Sequence, residues 1–274
     1  MAVTGVDGSR GRELGIRTAV GALVGVLGPL AGGVLLQHFG PAFDFAVAGV
    51  LMVASAVPLV LMGSIPAGPV PRARESMQGI DRGAMLAFAS DGWIASGLAL
   101  AWPMVLFVSL GSHYDSFGIA NAAAALAGAA TGLAGGRAID RGGRQRSLVI
   151  VCWALALGFA LRASATWSPI AATIANATGA AVMGIYVPVL MSVIYDRAQQ
   201  TGAAYRFHFA AEAGWDAGAA SGCLIAAALV WATDAPSLAV VPGALGVIVL
   251  YLSVRAPKAA VPVPVDASEP VSAA

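Results

Sequence analysis

Charge is what this chain has least of: Asp, Glu, Lys and Arg together make up 11% of its 274 residues, while 58% are hydrophobic. A soluble domain carries about a quarter charged residues, so water is not the main solvent here. Lysine is rarest. The single one, Lys258, follows Pro257, so no Gly-x-x-x-x-Gly-Lys phosphate loop can be written and a nucleotide-driven pump is not encoded in this chain. Cysteine stops at Cys152 and Cys223, each inside an apolar run and without paired spacing. That excludes a disulfide framework and a Cys-based metal site, and both read as small core residues. Neither His-Glu-x-x-His nor a Gly-x-Ser-x-Gly elbow with a usable partner occurs, so the chain is expected not to be an enzyme and no cofactor is implied. With a net charge of only +1 there is no case for nucleic acid as a partner.

What is abundant is apolar length. A hydrocarbon core about 30 Å thick takes roughly 20 helical residues to cross. Stretches of that order recur at 17–37, 43–64, 84–110, 117–137, 147–165, 169–195, 207–231 and 236–254. Strands in lipid must close into a barrel, which would show short alternating segments instead of long runs of Ala, Leu, Val and Gly. The fold class expected is all-α, a polytopic transmembrane bundle of about eight helices. The apolar run behind the polar first residues has no cleavage site, so the first helix is expected to be retained.

The few charges are informative by position. Arg10, Arg12 and Arg17 precede the first stretch; Arg72, Arg74 and Arg82 lie between the second and third. Arg137, Arg141, Arg144 and Arg146 lie between the fourth and fifth, Arg197 and Arg206 between the sixth and seventh, and Arg255 and Lys258 after the eighth. Only Arg162 falls near the opposite side, where it is expected to snorkel to the interface. The positive-inside bias then places both termini in the cytoplasm, with the protein in the plasma (inner) membrane. The expected layout is a cytoplasmic segment over 1–15, two spans over 16–65, a cytoplasmic linker rich in Pro and Arg over 66–83, six spans over 84–256 and a disordered cytoplasmic tail over 257–274.

Glycines recur at intervals of four on three stretches: Gly21 and Gly25, then Gly28 and Gly32, on the first; Gly128, Gly132 and Gly136 on the fourth; Gly214, Gly218 and Gly222 on the seventh. Such spacing stacks glycines on one helix face and lets another backbone approach closely, which predicts that these are contact helices.

Asp91, Glu212 and Asp216 are the acidic residues expected at membrane depth, where an ionisable group is costly and usually faces a cavity or a partner. Glu212 and Asp216 are four apart, hence on one helix face. Paired carboxylates at that depth suit proton coupling; equally, Glu212 could pair with Arg206 and anchor its helix. Trp93, Asn176, Tyr186 and Trp215 are candidates to line a cavity, and Pro188 gives the sixth stretch a breakable character.

The fourth connection reads Gly136-Arg137-Ala138-Ile139-Asp140-Arg141-Gly142-Gly143-Arg144-Gln145-Arg146. It resembles the cytoplasmic loop signature of the major facilitator superfamily, Gly-x-x-x-Asp-Arg-x-Gly-Arg/Lys-x-Arg/Lys. Gly28-Pro29-Leu30-Ala31-Gly32 is similar to the Gly-Pro-x-x-Gly motif in the fifth helix of proton-coupled antiporters of that superfamily. The resemblance aligns the first stretch with the family's fifth helix and covers about 13–256, so that one six-helix half and two helices of the other are present and the family's first four helices are missing. It implies that the first stretch packs on the fourth, and that the seventh, whose family partner is the second helix, has none in this chain. A second chain supplying the missing helices is then a candidate partner, beside a small-molecule solute, protons and the lipid bilayer.

For the signature itself, Asp140 could face the N-terminus of the first helix, where free N–H groups favour a carboxylate, with Arg17 as ion-pair partner. Arg17, Gly136, Asp140, Arg141, Gly143 and Arg144 would then form a gate; alternatively they make a solvated turn that sets orientation. The function implied is secondary transport of a small solute by alternating access, with protons as candidate coupling ion. The competing reading is a non-transporting membrane fragment or assembly partner that keeps the fold.

Overall fold

The computed structural model describes residues 10–61, 82–139, 144–165, 168–200 and 204–255. Among them the backbone is helical nearly throughout and no strand occurs. In lipid each N–H and C=O must be satisfied within its own segment, which a helix alone achieves without closing a barrel.

Helix α1 (Arg10–Leu61) takes in the first two apolar stretches. Its apolar part, Val20–Pro58, is 39 residues long; at ~1.5 Å per residue this is about 58 Å, roughly twice a hydrocarbon core. Gly40 breaks it. Its φ of 79° and ψ of 171° lie in a region confined essentially to glycine, and Pro41 behind it has no N–H to continue the ladder. Eight stretches in the sequence thus become seven apolar helices among the described residues, the first divided at Gly40.

The third stretch is also interrupted. It consists of α2 (Arg82–Ala95), a π-helical turn (Ser96–Ala101) and α3 (Trp102–Ser109). The Trp102 N–H bonds back to the Gly97 carbonyl, five residues earlier. Pro103 follows and has no N–H to offer, so the ordinary ladder cannot pass through this point. Gly111 and Ser112, both with positive φ, close α3 by returning their N–H groups to the carbonyls of Val108 and Phe107. The remaining helices are α4 (Tyr114–Ile139), α5 (Arg144–Ser164), α6 (Pro169–Gln200), α7 (Ala204–Thr233) and, after a 3-10 turn over Pro236–Val240, α8 (Val241–Arg255).

Glycine decides which helices touch. On α4, a methyl added at Gly128 would lie 3.1 Å from the Ala180 carbonyl oxygen and one at Gly132 3.3 Å from that of Gly184, both on α6. Thr131 between them donates its hydroxyl to the Ala181 carbonyl at 2.7 Å. On α7, Gly214 faces the Met85 carbonyl, Gly218 the Ala89 backbone and Gly222 the Ser96 hydroxyl, while Gly92 of α2 reciprocates against the backbone of Trp215 and Ala219.

The expectation that the glycine ridge of the seventh stretch faces the missing family helix is therefore corrected: the ridge lies on α2 and the π turn after it. A four-residue period marks a close-contact face but does not say whose backbone fills it. The ridge expected on the first stretch is corrected too. Gly21, Gly28 and Gly32 have nothing within 4 Å, and Gly25 only touches Ala125. The first stretch does pack on α4, but through Gly33, whose added methyl would meet the Tyr114 carbonyl oxygen at 2.6 Å and Gly118 at 3.2 Å.

The core lies among α2 to α8, with Phe88, Ile94, Leu106, Leu148, Phe159 and Leu250 buried. Large apolar residues also cover the outside: Val53 is 75% and Trp231 87% exposed. A surface so apolar would drive association in water and is stable against lipid tails.

Candidate functional site

Three of the sequence candidates meet at one carboxylate. Asp91, on α2, accepts a hydrogen bond at Oδ1 from the Tyr186 hydroxyl of α6 (2.6 Å) and one at Oδ2 from the Trp215 indole N–H of α7 (3.1 Å). Tyr186 is completely buried. The close approach that permits this comes from the next residue, Gly92, since a Cβ there would collide with the Trp215 carbonyl. Trp93 adds a reverse tie: its indole N–H donates to the Ser221 hydroxyl of α7 at 2.8 Å. Two indoles thus cross the α2–α7 seam in opposite directions.

Asp91 has neutral partners, a phenol and an indole, so gaining or losing a proton changes the net charge of the cluster. Glu212, on α7 with Trp215, has an exposed side chain. Asp216 is exposed and takes no part in the cluster. A groove of about 300 Å³ runs beside it, between α2, α7 and α8, with Leu86, Ala89, Trp93 and Val249 among its walls; Asp91 is not one of them. So apolar a groove offers little to a polar solute.

Asn176 belongs to a different level of the bundle. Its side-chain oxygen accepts the Trp102 indole N–H at 3.0 Å, and its amide donates to the Ala120 carbonyl (3.3 Å) and the Asn121 side-chain oxygen (3.4 Å). It joins α6 to α3 and α4, ten residues from Tyr186 along α6.

A family model of the Major Facilitator Superfamily matches residues 6–205, well over half of the chain. The chain belongs to the major facilitator superfamily. A comparison with curated proteins found no match. This facilitator is accordingly a multi-pass membrane protein and a transporter of the major facilitator type.

Of the facilitator's expected gate, Asp140, Arg141 and Gly143 lie outside the described residues. Arg17, Gly136 and Arg144 lie on α1, α4 and α5, but their side chains are outside the description. One expectation is overturned: Arg162, at the C-terminal end of α5, does not snorkel. It is 4% exposed, with its guanidinium carbon 5.3 Å from the centre of the Trp102 ring. The signal for snorkelling was distance from the span end, yet the space left by Gly179 on α6 lies inward, and the guanidinium fills it. Trp102 was missed altogether, because an indole in an apolar run carries no sign of its role until its N–H partner is known.

Proposed function

We propose that the protein moves a small solute by alternating access and couples that movement to protons through Asp91. The observation that carries the reading is the tie of one carboxylate to two other helices, through Tyr186 and Trp215. An ionised carboxylate accepts from both donors. Once protonated it becomes a donor at one oxygen, and one of the two acceptor positions is weakened or reversed. Protonation therefore changes how firmly α2 is held to α6 and α7, which is what coupling requires: a ligand with different affinity for two arrangements. The π turn just beyond Asp91 and Gly40 in α1 supply breaks in otherwise stiff helices.

In this reading the first stretch corresponds to the family's fifth helix, both termini face the cytoplasm of the plasma membrane, and a second chain can complete the bundle. The support for the threading is the one-sided placement of the arginines. A thiol introduced at Arg141 is expected to react with an impermeant maleimide only after the cell membrane is opened; labelling in intact cells would reverse the threading and remove the gate.

The transport reading is tested in proteoliposomes across a panel of small solutes, with and without an imposed pH gradient. Uptake above that of protein-free vesicles is expected for at least one solute, with accumulation raised by the gradient. Uptake by no solute would leave the assembly-partner reading, and uptake indifferent to the gradient would remove the protons.

A further inference from the structure

Arg162 is a cation inside the bundle, and among the described residues no anion lies beside it. No carboxylate contacts it, and its Nε has no hydrogen-bond partner, among the described residues. The surroundings are built around it: Trp102 lies against the guanidinium, and Gly179 leaves the volume that the guanidinium occupies. Trp102 is itself held by a short chain of side-chain hydrogen bonds. The Asn176 oxygen is taken by the Trp102 indole, the Asn121 oxygen is taken by the Asn176 amide, and the Asn121 amide donates to the Phe117 carbonyl at 2.9 Å. Among the described residues, the buried side-chain donor left without a partner is the Arg162 Nε. An isolated buried cation is unstable unless something anionic or strongly accepting completes it, and a guanidinium matches the two-oxygen edge of a carboxylate or phosphate.

We propose that Arg162 is the recognition cation for the transported solute, and that this solute carries an oxyanion, a carboxylate or phosphate group. The inference rests on the transport reading and adds the substrate class to it. Trp102 and Asn176 are positioning residues: the Asn176 oxygen fixes the indole, and the indole face holds the guanidinium. Asn176 and Tyr186 are ten residues apart on α6, about 15 Å along the helix axis, with the π turn of the facing helix between the two levels. Solute charge and proton would then act on the same pair of helices at two depths, which gives each a lever on the other without direct contact.

The test is a titration of purified protein, read by tryptophan fluorescence, with acetate, succinate and inorganic phosphate against neutral acetamide and cationic tetramethylammonium. The same five probes are then followed as labelled solutes in proteoliposome counterflow. Saturable binding of at least one anion is expected, weakened at least tenfold in Arg162→Gln and less in Arg162→Lys, with no binding of the neutral or cationic probe. Gly179→Ala, which takes the guanidinium's space while keeping the charge, should weaken the same anion and serves if Arg162→Gln does not fold. Anion binding equal in parent and Arg162→Gln, or absent from the parent, overturns the proposal. Anion binding without counterflow sinks the transport reading and leaves the anion site standing; counterflow of acetamide or tetramethylammonium without anion binding does the reverse.

Discussion

Asp91→Asn is expected to remove the pH-gradient-driven part of solute accumulation, by at least tenfold, while solute exchange without a gradient persists. The side chain is nearly isosteric, so the geometry between α2, α6 and α7 should survive. One of its two acceptor oxygens becomes an NH2, and the Tyr186 hydroxyl can turn to accept from it while Trp215 keeps the remaining oxygen. If the hydroxyl does not turn, a buried donor is left facing a donor, at a cost of ~1–3 kcal/mol. Thermal unfolding in detergent separates that loss from the loss of coupling. Asp216→Asn is the control: its side chain is exposed and outside the cluster, so coupling should stay near the parent's. Gradient-driven accumulation that survives in Asp91→Asn and fails in Asp216→Asn would move the coupling site to α7.

Gly218→Ala is expected to be among the most destabilising single-methyl changes in the chain. The added carbon would overlap the carbonyl of Ala89, and its neighbours there are backbone atoms that cannot rotate away. Helices α2 and α7 must separate, at a cost typical of overpacking, about 1–3 kcal/mol. Because Trp215 reaches Asp91 across the same seam, the change should also weaken proton coupling. Gly32→Ala makes the contrast. It has the same four-residue spacing to a neighbouring glycine but open space around it, and alanine is the better helix former by up to about 1 kcal/mol, so it should be neutral or stabilising. Equal unfolding temperatures for the two variants in the same detergent would mean that the α2–α7 seam is not a close contact.

The solvent, the helical class and the approximate spans were legible in the chain itself, because crossing a hydrocarbon layer imposes length and apolarity on every segment that does so, and those are one-dimensional properties. The loop around Asp140 carried the family for a similar reason, being a contiguous string. Asp91, Tyr186 and Trp215 could each be singled out as polar residues at depth, but not joined, since they stand on three helices and 124 positions separate the outer two. Nor could periodicity tell Gly214 and Gly218 of α7, which meet a backbone, from Gly21, Gly28 and Gly32, which meet nothing within 4 Å. Arg162 marks the limit most clearly. From the sequence it is a cation near a span end, free to reach water; only the packing of α3, α5 and α6, with a glycine's vacancy on one side and an indole on the other, turns it inward. Segment chemistry is local and can be read along the chain, whereas the partner of a face depends on how helices far apart in sequence are brought together.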